Sequence, residues 1–186
     1  HAHSNAAGKF LRANVGETCL TCHDMALQVD GRKLANISDQ LAHSANVHKP
    51  FRSGMCQACH TPHGSLQPSL LKDSYPAGNY AKYDRANYGL CWQCHEPALV
   101  EAAATLTATE FRAGERNLHH LHVAQFGKGR SCHLCHTAHA TDRPHLLRDT
   151  VRFGKWEGPL EFKSQPNGGS CATACHREKA YDRRAP

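Results

Sequence analysis

Apolar positions along this chain keep a helical spacing in only a few places. Leu34, Ile37, Leu41 and Ala45 fall on one helical face, with Pro50 beyond the expected end. Pro97 suits the first turn of a helix over 98–104, which Thr105, Thr107 and Thr109 then weaken. A further helix is predicted over 116–125, setting His119 and His122 on one face. Glycine and proline punctuate 152–169 (RFGKWEGPLEFKSQPNGG), which reads as loop. No apolar run approaches the roughly 20 residues of a membrane helix, so no transmembrane segment is expected.

Only 40% of the 186 residues are apolar, and 14 Gly and 9 Pro interrupt them; mean hydropathy is −0.60. That length makes one ordinary domain, but a polypeptide of this composition buries a thin core unless another group supplies apolar surface. An internal repeat is visible without gaps: 61–73 (TPHGSLQPSLLKD) matches 137–149 (TAHATDRPHLLRD). Such a self-match marks a duplicated unit. The expected organisation is a single domain over 1–186, with repeat units of approximately 15–75 and 87–150 and a tail over 151–186.

Every cysteine belongs to one of five motifs. Four read C-x-x-C-H: Cys19, Cys22 and His23; Cys56, Cys59 and His60; Cys91, Cys94 and His95; Cys132, Cys135 and His136. The fifth, Cys171, Cys175 and His176, has one extra residue between its cysteines. C-x-x-C-H is the signature of c-type haem attachment: two thiols reach the two vinyl groups of one porphyrin and the next residue offers imidazole to the iron. Zinc ribbons pair C-x-x-C units without requiring a histidine after each. Cysteines this close together seldom close a useful disulfide loop, and no βαβ pattern surrounds them as a thioredoxin-like dithiol needs. The reading is five covalently attached haems c, whose porphyrins supply the missing core. The fold class expected is mostly irregular with short helices at the motifs, wrapped around a haem stack. Tyr75, Tyr80, Tyr83, Tyr88, Trp92 and Trp156 are expected to pack on porphyrin faces or rims. The formal charge of +6 omits the propionates, which the Lys and Arg residues would neutralise. No clustered basic stripe suggests nucleic acid as a partner.

These features resemble the multihaem cytochromes c with a doubled CXXCH motif. The likeness rests on His48-Lys49-Pro50-Phe51 ahead of Cys56, then on Cys59-His60-Thr61-Pro62-His63-Gly64-Ser65, and recurs less perfectly at Cys135-His136-Thr137-Ala138-His139. The spacing at 171–176 departs from the pattern and leaves the local geometry of the fifth attachment open. The resemblance implies bis-histidine irons and haems packed for electron transfer.

Of 16 histidines, 11 lie outside the five proximal positions. A distal ligand on each iron needs five of them. His63 and His139 sit three residues after a proximal histidine, and His48 and His122 lead their repeats. His119 is the fifth candidate, and His43, at the same offset from Cys56 as His119 from Cys132, is its rival. His120, His133 and His145 are read as solvent or propionate contacts. His1 and His3 keep three readings open: a mobile terminus, a square-planar copper or nickel set, or an axial ligand donated to a neighbouring subunit.

Two imidazoles close an iron to substrate, which suits electron relay and opposes catalysis. The expected protein is therefore an electron-transfer cytochrome and not an enzyme, acting with redox partner proteins or extracellular acceptors. The rival class, a multihaem reductase, needs an open iron, and related pentahaem enzymes use C-x-x-C-K at the active haem. Covalent attachment occurs outside the bacterial cytoplasmic membrane, so an exported product, periplasmic or extracellular, is expected. A homopolymer joined through His1 or His3, forming a conductive filament, and a monomeric shuttle are both compatible with the residues.

Overall fold

The computed structural model describes residues 11, 13–29, 32–124, 127 and 129–184. Short helices and small antiparallel sheets make up two compact units. The first is drawn from the chain up to Lys72 and from Thr137–Leu146, the second from Asp73–His136 and from Leu147 onward. This division does not follow the sequence repeat, since ten residues of the second copy join the first unit.

In the first unit, helix Val15–Leu20 starts at Asn14, whose side chain accepts from the Glu17 N–H at 3.0 Å. It runs into motif 1. A Cβ added to Gly16 would meet the Gly54 Cα at 3.0 Å, so the approach of this helix to the turn before motif 2 depends on glycine. Helix Ile37–His43 is capped by Asn36 and begins where the His23 carbonyl accepts from the Ile37 and Ser38 N–H groups. It is shorter than the apolar spacing suggested, because Leu34 belongs to the hairpin Leu27–Val29/Arg32–Leu34. Pro50 occupies the first turn of a separate helix, Lys49–Arg52. Asn46–Val47 pairs antiparallel with Ala140–Thr141, tying the borrowed segment down.

The second unit holds two small apolar clusters, Tyr88/Val100/Val123 and Leu134/Val151/Leu160. Helix Ala98–Glu101 follows Pro97 and stops before Ala102, which turns extended. The helix predicted over 116–125 forms in part: 118–124 is helical and widens into a π-helical turn, His120–Ala124, while 116–117 belong to the hairpin Arg112–Ala113/Arg116–Asn117; residue 125 lies outside the described residues. Asn117 caps the start of this helix, since the buried side-chain oxygen accepts from the His119 and His120 N–H groups.

The stretch 152–169 is not a loop. Strands Thr150–Phe153, Trp156–Gln165, Gly168–Thr173 and His176–Asp182 form a four-stranded antiparallel meander. Proline and glycine are tolerated for positional reasons. Trp156–Pro159 pairs with Thr150–Phe153 and Leu160–Gln165 with Gly168–Thr173, so Pro159 faces one neighbour only. Gly154 makes the tight turn at φ +62°. Gly158 and Leu160 point inward while Glu157, Glu161 and Lys163 point to solvent.

Among the described residues only Phe51, Tyr88, Val100, Val123, Leu134, Ala140, Val151 and Leu160 are buried apolar side chains. Met25, Met55, Leu66 and Leu70 stand exposed near motifs 1 and 2. No helix among the described residues is long and apolar enough to cross a membrane.

Candidate functional site

Four motifs sit on helical turns: Val15–Leu20, Cys56–Ala58, Gly89–Trp92 and Cys132–Cys135. In each, the histidine N–H donates to the carbonyl of the first cysteine, at 3.1, 3.0, 2.9 and 2.9 Å in chain order. That closure places both thiols and the imidazole along one side of a turn. The fifth motif has no such turn. Cys171 lies in strand Gly168–Thr173, His176 opens the next strand, and the register shifts between Cys171 and Thr173. The extra residue is absorbed as an irregularity of this hairpin.

The ten cysteines are unbridged. They meet across motifs: Cys19 shares a hydrogen bond with Cys56, Cys91 with Cys132, and Cys135 neighbours Cys171 and Cys175. Motifs 1 and 2 are thus neighbours in the first unit, and motifs 3, 4 and 5 in the second.

Two pairs of histidine rings lie close together. The rings of His60 and His139 lie 6.1 Å apart, and those of His119 and His136 lie 6.4 Å apart, tilted by 31° and 28°. Two imidazoles facing each other across one metal ion through bonds of about 2 Å have ring centres about 6 Å apart. Both pairs match that separation. His139 also has His48 and His23 as neighbours, and burial, then His60, His48 and His23, push its pKa down. His48 is fixed beside it: its backbone N–H donates to the His139 carbonyl at 2.9 Å and its Nδ1 to the Ala138 carbonyl at 3.1 Å. His122 is lowered by burial, though the Leu118 carbonyl opposes this, and then by Arg130, His176 and Lys179. Burial, then His136 and His122, bring His119 down to about 4. Each of these shifts favours the neutral imidazole that a metal needs.

A metal-bound histidine nearly always commits its second ring nitrogen to a carbonyl or similar partner. The Nδ1 groups of His60, His122 and His176 donate to the carbonyls of Ser69, Leu118 and Arg177 at 3.0, 2.6 and 2.7 Å. His119 Nδ1 shares a 2.9 Å hydrogen bond with the Thr109 hydroxyl. His120, which sequence reasoning passed over, donates its Nδ1 to the Val100 carbonyl at 2.9 Å. His133 differs: its Nε2 is engaged by Asn79 at 3.1 Å and Ser131 at 3.4 Å, in keeping with a structural role. His43 is bound to Asp39 at 2.9 Å with its side chain 75% exposed. His63 and His145 lie at the surface, and His95 is exposed beside helix Ala98–Glu101. His1 and His3 lie outside the described residues.

Of the aromatic residues, Tyr88 is fully buried among Tyr75, Tyr83 and Trp92. The Tyr88 hydroxyl and the Trp92 indole N–H are buried without a hydrogen-bond partner. Both belong to the cluster packed on Cys132. Buried polar atoms left open in this way leave room for a group outside the polypeptide to satisfy them. Trp156 is exposed. Asn117, 1% exposed, was not singled out by the sequence. Its amide donates to the Leu99 and Ala102 carbonyls at 3.0 and 2.8 Å, and its oxygen accepts from the His119 and His120 N–H groups.

The residues present therefore fit haem c: thiol pairs on helical turns with a histidine after each, paired imidazoles, and a core too thin without it. A family model described as "Doubled CXXCH motif" matches residues 48–100, which contain motifs 2 and 3 entire. This segment is similar to the attachment unit of multihaem c-type cytochromes, and its CXXCH motifs are sites of covalent haem c binding. No curated protein and no solved structure matches the chain.

Proposed function

We propose that the chain is an electron-transfer cytochrome carrying five haems c, one on each motif, with histidine on both faces of every iron. The observation that carries the reading is the spacing of two imidazole pairs, His60 with His139 at 6.1 Å and His119 with His136 at 6.4 Å. In the first unit, His48 then serves the His23 iron; in the second, His122 serves the His176 iron. Bound haem supplies the ferric/ferrous couple. The cysteine pairs and the histidines after them would hold the porphyrins, the further histidines would be the second iron ligands, and the Nδ1 partners of His48, His60, His119, His122 and His176 would keep those rings oriented, which would leave the metal closed to substrate. This arrangement relays electrons and does not favour an enzyme. Covalent attachment supports export, to the periplasm or beyond the cell.

Two measurements test the reading. Intact mass spectrometry should find five haem additions to the 20.5 kDa chain; four would remove the hairpin motif at 171–176 from the set. The reduced protein should show no carbon monoxide shift, and a shift would mark an open iron and favour a reductase.

The second reading concerns assembly. In this reading one of the five distal ligands comes from another copy in place of a histidine of the same chain, and His1 or His3 donated to a neighbouring subunit would join copies head to tail. A heterologous contact that does not close into a ring builds an open filament. Electron microscopy of the native protein separates a filament from a monomeric shuttle: dispersed particles with every iron ligated within one chain would rule the filament out.

A further inference from the structure

Three histidines crowd one turn of the second unit, and the unit contains three attachment motifs. His119 immediately precedes the π-helical turn His120–Ala124, which carries His120 and His122. Each ring is anchored through Nδ1 by a different acceptor: the Thr109 hydroxyl, the Val100 carbonyl and the Leu118 carbonyl. In all three, Nε2 is the nitrogen left to face a metal. The rings also diverge. His119 and His122 flank Phe111, at centroid distances of 5.2 and 5.7 Å. His120 turns away from them onto helix Ala98–Glu101, the element that follows His95 of motif 3.

We propose that this turn is a single ligand hub, in which His119, His122 and His120 supply the sixth ligands to the irons of motifs 4, 5 and 3. The hub rests on the bis-histidine reading and deepens it. The His119 and His136 rings already lie 6.4 Å apart, and His176 is a neighbour of His122. Motif 3 is left, and in the same unit His120 is the remaining histidine with an anchored Nδ1, because His133 spends its Nε2 on Asn79 and Ser131. His120 also lines a cavity of about 250 Å³ with Ala103, Arg116 and Asn117, so space adjoins its ring.

The backbone explains how one turn can serve three metals. π-Helical turns are rare and concentrate at functional sites, since widening the turn redirects successive side chains. Asn117 locks this one in place. Its oxygen fixes the N–H groups of His119 and His120, and its amide grips the carbonyls of Leu99 and Ala102 on either end of the helix beside motif 3. Asn117 is therefore a positioning residue for two ligands at once. At the far end, a Cβ on Gly129 would stand 1.9 Å from the Val123 carbonyl, so the strand that closes the turn requires glycine there.

The test is His120→Met in the haem-loaded protein, read by near-infrared magnetic circular dichroism, which counts bis-histidine haems, and by the far-red absorption of methionine-ligated ferric haem. The expected result is loss of one bis-histidine signal in five, gain of one methionine signature, and five haems retained by mass. His133→Met should keep all five bis-histidine signals. A His120→Met protein with five bis-histidine haems and no methionine signature overturns the hub and leaves the bis-histidine reading standing. Fewer than five bis-histidine haems in the unaltered protein overturns both. Should His120→Met fail to load five haems, a high-resolution map of the unaltered holoprotein decides. His120 Nε2 on the motif 3 iron supports the hub, and any other sixth ligand there overturns it.

Discussion

After motif 2 and after motif 4 the backbone takes the same course. The Thr61 and Thr137 N–H groups donate to the Leu70 and Leu146 carbonyls, both at 2.8 Å, and those of Lys72 and Arg148 return to the Cys59 and Cys135 carbonyls, again at 2.8 Å. His60 bridges Leu71 as His136 bridges Leu147. Even the left-handed residues coincide, Ser69 and Leu70 with His145 and Leu146. Yet the His139 ring lies 6.1 Å from that of His60 with Phe51 against it, whereas His63, at the same step of the other copy, lies at the surface. Local sequence sets the loop; what packs on the loop sets what its histidine does. The second copy joins the first unit through Asn46–Val47 and the His48 N–H, and these contacts aim His139.

The largest expected effect separates the two histidines directly. His139→Met should convert one haem to histidine/methionine ligation and raise its potential by a sizeable part of the roughly 0.8 V that axial ligands span. His63→Met should leave the spectroelectrochemical titration unchanged. Equal shifts from both would dissolve the contrast between the loops.

Phe51 is 8% exposed and rests on the His139 ring at 5.0 Å. Phe51→Ala should cost about 3–5 kcal/mol in denaturant unfolding and loosen His139, with no effect at His63.

In the haem-free chain acid acts on the second unit through His119, whose pKa falls from 6.5 to about 4. Between those values the unfolded chain binds a proton that the folded chain refuses. Stability is therefore complete above about pH 6.5 and declines as pH falls toward about 4, by up to about 3 kcal/mol. Unfolding midpoints measured across that range should drop on the acid side; midpoints that rise would reverse the sign of the account.

Asn117→Ala removes four hydrogen bonds from the second unit alone. It should cost about 1–3 kcal/mol and perturb the His119 and His120 haems, while the His139 haem keeps its signal. The smallest effect tests the shared backbone. Ser69 and His145 both hold φ near +57°, so Ser69→Gly and His145→Gly should each stabilise the chain by up to about 1 kcal/mol, and by similar amounts.

The attachment motifs and the repeat were legible because each is local: a cysteine spacing, a histidine one step on, a stretch of matching residues. Tertiary choices were not. Spacing treats His63 and His139 alike, since both follow their proximal histidine by the same count, and only the fold shows that one is exposed and the other packed on Phe51. His120 was passed over because its neighbour His119 matched a spacing rule, while the Val100 carbonyl that anchors it lies 20 residues away. Asn117 carries no signal beyond its type; only burial shows that it ties the turn to a helix. The C-terminal sheet was obscured by Gly and Pro at positions where one-sided pairing makes them harmless, as at Pro159. Its inward positions, Gly158 and Leu160, are too few to reveal an alternation.

A high-resolution map of the haem-loaded protein at motif 2 bears most directly on the account. It should place His60 Nε2 and His139 Nε2 on opposite faces of one iron, with His63 remote from that metal. His63, a solvent molecule or a residue of another chain in the place of His139 would contradict it.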